Sequence, residues 1–435
     1  MRYVIIGGSA AGISALEAIR SVDRTSPIDI FSDEATPLFS RVLLPYYVAE
    51  QLSKPLLNFR AADFFSVHNA MAHLGVRAQK VLTDSKSVQT DEGKTYPFDA
   101  LLLATGGNAT IPPIPGIERQ GVFTLKTMDD AERIYNFKAV KAVVLGAGSR
   151  GVEVSISLRK RGMRVSLLEE LGQVLPTVFD EEAAAIVRKR IEDTGIEVLT
   201  ETRAQRVTGN GRVRAVVTNK GELECDMVIL AVGVKPATEL AQEAGIKIGP
   251  HGGIKVDDHL MTDVLGIYAA GDVAETYDIA LGTDTVNAIW PCAFEQGRIA
   301  GLNMAGRKTL YPGSYRRNSI GNFIGIPAIS MGVTHAGACP NRTDGDDIRE
   351  FRRRTKDSYR KLVLRNGKLV GAIFVGETQK AGIMSMLLKK QINVTEAVPV
   401  LMSPHLSFMD LLPLLRRNGD QFTEPEYKEL MDTGL

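Results

Sequence analysis

Short runs that are apolar at every position alternate along this chain with stretches whose apolar residues recur at helical spacing. Tyr3-Val4-Ile5-Ile6 is followed at once by the small-residue stretch Gly7-Gly8-Ser9-Ala10-Ala11-Gly12, and then by Ile13, Leu16 and Ile19 at intervals of three. An uninterrupted apolar run is the mark of a strand buried on both faces, and the spacing after Gly12 predicts a helix ending near Pro27. The same order returns at Val143-Val144-Leu145, Gly146-Ala147-Gly148-Ser149-Arg150-Gly151 and a helical stretch over 152–160. Ile28–Phe31 and Arg164–Glu169 predict the strands that come next, each with an acidic end. Asp99–Gly107 and Asp226–Gly233 then run apolar into glycine. The series turn, acidic strand end, apolar strand into glycine therefore occurs twice, as an internal repeat.

Other stretches complete the map. Gly75-Val76-Arg77, Lys86–Thr90 and Thr95-Tyr96 read as short strands around an Asp91-Glu92-Gly93 turn, and 37–47 is too rich in aromatics and prolines for a plain helix. Ile111–Gly116 is proline-dense and marks a domain crossing. A long amphipathic helix over 180–195, strands at Ile196–Leu199 and Val213–Val217, and a strand within Gly266–Val273 follow, then a helix from Ala293 to Gly306. Beyond Tyr311 the pattern changes. Ile320–Gly332, Arg360–Leu364 and Leu369–Gly376 read as an antiparallel sheet, with Asn366-Gly367 as its hairpin turn, and helices are expected at 382–390 and 409–417.

Composition removes several classes of function. Lys plus Arg total 52 against 51 for Asp plus Glu, which leaves no strongly basic surface for nucleic acid. No apolar run approaches the ~18 residues that span a bilayer, and no signal peptide is expected ahead of Arg2. The three cysteines, Cys225, Cys292 and Cys339, form no C-x-x-C pair, which suits a reducing, cytoplasmic setting. His68 and His73 have poor ligand spacing, so no metal site is expected.

The candidate chemistry lies at the turns. Residues without side chains let backbone approach a pyrophosphate, while the following helix offers unpaired N–H groups and its positive end. The second turn carries the full G-x-G-x-x-G spacing as Gly146, Gly148 and Gly151; the first has Ser9 at the middle position. Two such cradles imply two dinucleotides. Glu169, eighteen residues past Gly151 and followed by Glu170, can accept from both ribose hydroxyls and repels a 2′-phosphate, which favours NAD over NADP. At the first cradle Asp33 and Glu34 both stand at the ribose position, and spacing does not choose between them. Arg41 can pair with pyrophosphate oxygens, or be a surface arginine; Lys54 is a weaker candidate of the same kind. Asp272, in Ala270-Gly271-Asp272, can accept from sugar-alcohol hydroxyls or serve only a turn. Trp290 suits either a cofactor face or the core. The basic stretch Arg349, Arg352, Arg353, Arg354 and Lys356 suits a solvated strand edge or an acidic partner.

The ordered set Gly7…Gly12, Ala104-Thr105-Gly106, Gly146…Gly151 with Glu169, Ala231-Val232-Gly233 and Ala270-Gly271-Asp272 resembles the FAD-dependent pyridine nucleotide-disulfide oxidoreductase family. The resemblance implies an α/β chain with two Rossmann-like dinucleotide-binding domains: an FAD domain at 1–116 and 249–310 split by an NAD domain at 117–248, then a C-terminal α+β interface domain at 311–435, often used for dimerisation. It implies FAD at Gly7, Gly8, Ser9, Ala11, Gly12 and Asp33 or Glu34, with Arg41, Thr105, Gly106, Gly271 and Asp272. It implies NAD at Gly146, Gly148, Gly151, Glu169 and Gly233.

One departure bears on the chemistry. Disulfide reductases of the family carry one or two cysteines on the segment after the acidic strand end, and here that segment reads Phe39-Ser40-Arg41-Val42-Leu43-Leu44. Without a thiolate there, no sulfur intermediate can form. The segment and the stretch 360–376 are instead similar to the NADH-oxidising part of nitrite reductases, to rubredoxin or ferredoxin reductases, and to the flavoprotein subunit of phenylglyoxylate dehydrogenase. The expectation is an enzyme that moves hydride between nicotinamide and flavin and exchanges electrons with an external iron–sulfur protein or partner subunit, no residue of its own being assigned as catalytic. The chain has no cysteine cluster to hold such a metal centre itself. A stand-alone NADH oxidase or coenzyme A disulfide reductase-like enzyme is the alternative, and a non-enzymatic FAD/NAD-binding module the second. His405 is read as structural.

Overall fold

The computed structural model describes residues 1–36, 38–320, 323–335, 337, 345–356 and 358–421; Cys339, Pro37 and positions 321–322 of the predicted Ile320–Gly332 strand lie outside them. The chain forms two compact units. The first comprises residues 1–172, 195–278 and 284–314, and the second comprises 173–194, 279–283 and 315–435.

The first unit holds two parallel five-stranded sheets. In one, β1 (Tyr3–Ile6) lies between β2 (Ile28–Ser32) and β4 (Ala100–Leu103), with β3 (Met71–Leu74) beyond β2 and β10 (Ile267–Ala269) beyond β4. Tyr3 is in register with both Ile28 and Ala100. β1 is central, and its period of two explains why every one of its residues is apolar: Tyr3 and Ile5 enter one core with helix α1 (Ala10–Val22), Val4 and Ile6 another with Val81 and Val88. α1 crosses helix α4 (Trp290–Met304) closely, because Gly297 and Gly301 have no side chain. A Cβ on them would lie 2.1 Å from the Ala11 carbonyl oxygen and 2.4 Å from that of Ala15.

The other sheet runs β8 (Glu197–Leu199), β7 (Arg164–Leu168), β6 (Lys141–Leu145), β9 (Met227–Leu230), β5 (Val122–Phe123), all parallel. Helix α3 (Ser149–Lys160) follows β6 as α1 follows β1. Helix α2 (Met128–Asn136), which the periodicity did not show, is started by a capping box between Thr127 and Asp130. One strand expectation fails. Gly75-Val76-Arg77 is a turn with Gly75 at φ +72°, placed between β3 and the strand Ala78–Leu82, because the left-handed glycine lets the chain leave the sheet there.

The second unit is an antiparallel sheet in the order β11 (Arg317–Ser319), β12 (Ala328–Gly332), β15 (Lys368–Val375), β14 (Tyr359–Arg365), β13 (Ile348–Arg354), and the helix Ala381–Lys390 packs on β15. The helix Glu181–Asp193 belongs to this unit, although its sequence position falls within the stretch read as the NAD domain. Its N-cap Asp180 accepts from Ala183 N at 3.1 Å and from Tyr359 OH at 2.6 Å. Lys361, 1% exposed, sits between Asp180 at 3.1 Å and Glu350 at 3.0 Å. A buried amine needs polar partners, and its contact with the N-cap carboxylate ties the helix to the sheet. The basic stretch forms the edge strand β13: Arg349 pairs with Asp347, Arg352 with Glu350, Arg353 with Glu377 and Arg354 with Glu182. These pairings answer the charge locally, as a solvated edge would.

Candidate functional site

The first cradle is built by close approach of backbone. Gly7 adopts φ +124°, and a Cβ there would lie 2.1 Å from the Ala104 carbonyl oxygen; one on Gly12 would lie 1.9 Å from the Gly7 oxygen. Ser9 is the N-cap of α1 but its side chain makes no capping bond, so it leaves the first-turn N–H groups and the positive end of the dipole to a ligand. Gly8 and Ala11 complete the turn. Gly271 closes it from the other side, since a Cβ on it would sit 3.1 Å from that of Ala11; its N–H donates to Gln296 Oε1 at 2.8 Å.

At the end of β2, Asp33 is exposed whereas Glu34 is half-buried. Glu34 pairs with Arg41, and its second oxygen, Oε2, is buried without a hydrogen-bond partner. Arg41 also donates to the Lys126 carbonyl at 2.7 Å and lies over the Phe39 ring at 5.2 Å. Lys54 is turned elsewhere, onto Glu132. Burial pushes the Asp272 carboxyl above the usual aspartate range, and the charges of Arg41, Lys126 and Arg150 pull it back down. Burial, with Arg41 nearby, lowers the Lys126 ammonium. Lys126, Arg150 and Gln296 were not singled out from sequence. Arg150 could have been, for it lies inside the second glycine turn.

The second cradle repeats the first. Gly146 has φ +98°, and a Cβ on Gly151 would lie 1.8 Å from the Gly146 oxygen. Gly148, the N-cap of α3, has nothing within 4 Å of where a Cβ would be, and again no side chain caps the helix. Glu169, at the end of β7, accepts from Ala147 N at 2.8 Å and from Leu171 N at 3.1 Å, which sets its carboxylate beside the turn. Glu153 follows on α3, its carboxyl raised by burial and opposed by Arg150. Thr105, Gly106 and Gly233 lie at the crossing between the two sheets. Thr105 Oγ1 donates to the Ala237 carbonyl at 2.7 Å, Ala237 N donates to the Gly106 carbonyl, and Thr110 N donates to that of Gly233. Trp290 meets Phe59 edge to face at 5.1 Å.

Residues 1–297 match the family model described as pyridine nucleotide-disulphide oxidoreductase, and residues 319–392 match that of the rubredoxin NAD+ reductase C-terminal domain. The chain belongs to the pyridine nucleotide-disulphide oxidoreductase family. It is 32% identical over 401 residues to the epsilon subunit of an NADH-dependent phenylglyoxylate dehydrogenase from Aromatoleum evansii, covering 91% of this chain and 93% of that one. It is 29% identical over 423 residues to an NADH oxidase of Methanocaldococcus jannaschii, again covering 91% and 93%. A solved NAD-dependent persulfide reductase from A. fulgidus superposes with a TM-score of 0.86 at 29% identity, over 96% of this chain and 84% of that one.

The chain is thus an FAD- and NAD(H)-binding oxidoreductase, and the two Rossmann-like sheets are those of the family. The residues present suit both groups. The unpartnered Glu34 oxygen suits a ribose hydroxyl donor, and the open space at Gly148 suits a pyrophosphate. Elsewhere, Asp257, Asp258 and His259 bring ligand atoms within 4.8 Å on an exposed turn, a grouping that histidine spacing alone does not reveal; Asp257 Oδ1 there accepts from His259 N and Met261 N. Burial pushes the Cys225 thiol up to about 12, so it is no thiolate. Among the described residues no helix is long and apolar enough to cross a membrane.

Proposed function

We propose that this oxidoreductase moves hydride between nicotinamide and flavin and exchanges the electrons with a separate iron–sulfur protein or partner subunit, as in a 2-oxoacid dehydrogenase complex of the phenylglyoxylate type. Arg41 carries the reading. Where disulfide reductases of the family place a cysteine, this segment offers a guanidinium committed to Glu34 and the Lys126 carbonyl, and no sulfur to take electrons. The 32% identity to a dehydrogenase-complex subunit supports it further.

In this reading α1 and the turn Gly7–Gly12 hold the FAD pyrophosphate, Glu34 rather than the exposed Asp33 accepts from the adenosine ribose, and Asp272 binds the ribitol or pyrophosphate end. Gly146, Gly148 and Gly151 hold the NAD pyrophosphate, Glu169 accepts from its ribose, and Gly233 lines the cleft. The flavin, when bound, supplies a two-electron hydride partner that also releases electrons singly. The protein's own part is alignment and charge: Arg41, Lys126 and Arg150 offset the phosphates and oppose the effect of burial on the Asp272 carboxyl.

A second reading, a stand-alone NADH oxidase, is favoured by the likeness to the Methanocaldococcus enzyme. Anaerobic reduction of the holoprotein by NADH, followed by addition of either oxygen or an oxidised ferredoxin, separates the two. Fast reoxidation by ferredoxin and slow reoxidation by oxygen is expected; the reverse order overturns the proposal.

A further inference from the structure

Arg41 serves two elements with two different groups. Its guanidinium grips Glu34 at the end of β2 and the Lys126 carbonyl ahead of α2. Its own carbonyl accepts from Arg150 Nη1 at 3.3 Å, and the same Nη1 lies 3.5 Å from Glu153 Oε2. Arg150 stands between Ser149 and Gly151 in the first turn of α3, the turn whose N–H groups meet a phosphate in the reading above. The segment after Arg41 continues the bridge: Ser157 Oγ of α3 donates to the Pro45 carbonyl at 2.8 Å, and Tyr47 stacks on Tyr135 of α2 at 5.0 Å. An unbroken line of contacts therefore runs from the carboxylate of the first cradle to the helix start of the second.

We propose that Arg41 and Arg150 are positioning residues that couple the two dinucleotide sites, so that NAD(H) at the second cradle tightens the hold on FAD at the first. The inference rests on the assignment of Glu34 to FAD and of α3 to NAD. A phosphate on the first turn of α3 orders Arg150; Arg150 then holds the Arg41 backbone, and Arg41 holds Glu34 toward the FAD ribose. A shared element ordered by one ligand need not be ordered again by the other, which makes the coupling positive, and linkage makes it reciprocal.

The test is the rate at which FAD leaves the holoprotein, followed by the fluorescence of released flavin, with and without saturating NAD+, which does not reduce the flavin. In the wild type NAD+ is expected to slow release at least ~5-fold. In Arg150→Ala, and in Arg150→Met where the stem is kept, the ratio falls toward one; Arg150→Lys, still able to donate to the Arg41 carbonyl, restores part of it. Equal rates in the wild type, faster release with NAD+, or a wild-type ratio in both truncations overturns the coupling. The underlying assignment fails separately, if Glu34→Gln does not speed FAD release in the absence of NAD+ or if Gly148→Val still binds NAD+ normally.

Discussion

Gly12 and Gly151 occupy equivalent places, each with its missing Cβ within 1.9 Å of the carbonyl oxygen of the glycine that opens its turn. Past that point the two cradles differ. At the first, Gly271 and Gly297 press against Ala11, and the acidic strand end is clamped by Arg41. At the second, Gly148 has nothing within 4 Å of where a Cβ would be, and the Glu169 carboxylate accepts from the backbone N–H groups of Ala147 and Leu171. The helix of one strand–turn–helix unit is packed tightly on a second helix, whereas the turn of the other has free space beside its middle glycine. Enclosure suits a resident cofactor and access suits a substrate that must come and go.

Four experiments break or sharpen that contrast. Gly297→Val attacks the enclosure, since its side chain would meet the Ala11 backbone; a loss of about 3 kcal/mol in chemical denaturation, with loss of flavin absorbance, is expected. The same change is made at the open cradle by Gly148→Val. That variant should remain folded and yellow while NAD+ binding, measured by calorimetry, falls about 100-fold, or ~2.7 kcal/mol; loss of flavin instead would mean the two assignments are reversed. Glu169→Arg should move the kcat/KM ratio of NADH to NADPH about tenfold toward NADPH, or ~1.4 kcal/mol, and an unchanged ratio removes the ribose assignment.

The smallest effect concerns Asp272. Its folded carboxyl is raised chiefly by burial, so it favours the apoprotein below the ordinary aspartate range and loses that contribution as the pH rises through its folded value. Asp272→Asn should therefore stabilise the flavin-free protein at pH 7 in thermal melts. The gain should vanish as the solution is acidified through the carboxylate range, and FAD should bind more weakly.

Much of this was legible along the chain. β1, β4 and β9 are central strands and apolar at every position, and β6 is apolar from Ala142 onward, so all four are easily seen. β3 was not, because as an edge strand it carries exposed Met71 and Leu74. α2 begins with a capping box but has only Met128, Ala131 and Ile134 buried, too narrow a stripe to stand out. The helix Glu181–Asp193 was legible as a helix but not by the sheet on which it packs.

Amphipathic period, glycine spacing and the acidic strand ends are local properties of the chain, and they determined by themselves that there are two cradles, in what order, and what kind of ligand each suits. The choice of Glu34 over Asp33 as the less exposed carboxylate, the partners of Arg41 and the gathering of Lys126 and Arg150 about Asp272 were decided only in three dimensions. Arg41 meets Lys126 across 85 residues and Arg150 across 109. No periodicity records a contact of that separation, because it arises from how two sheets and their crossing strands pack rather than from any property of the segments that meet.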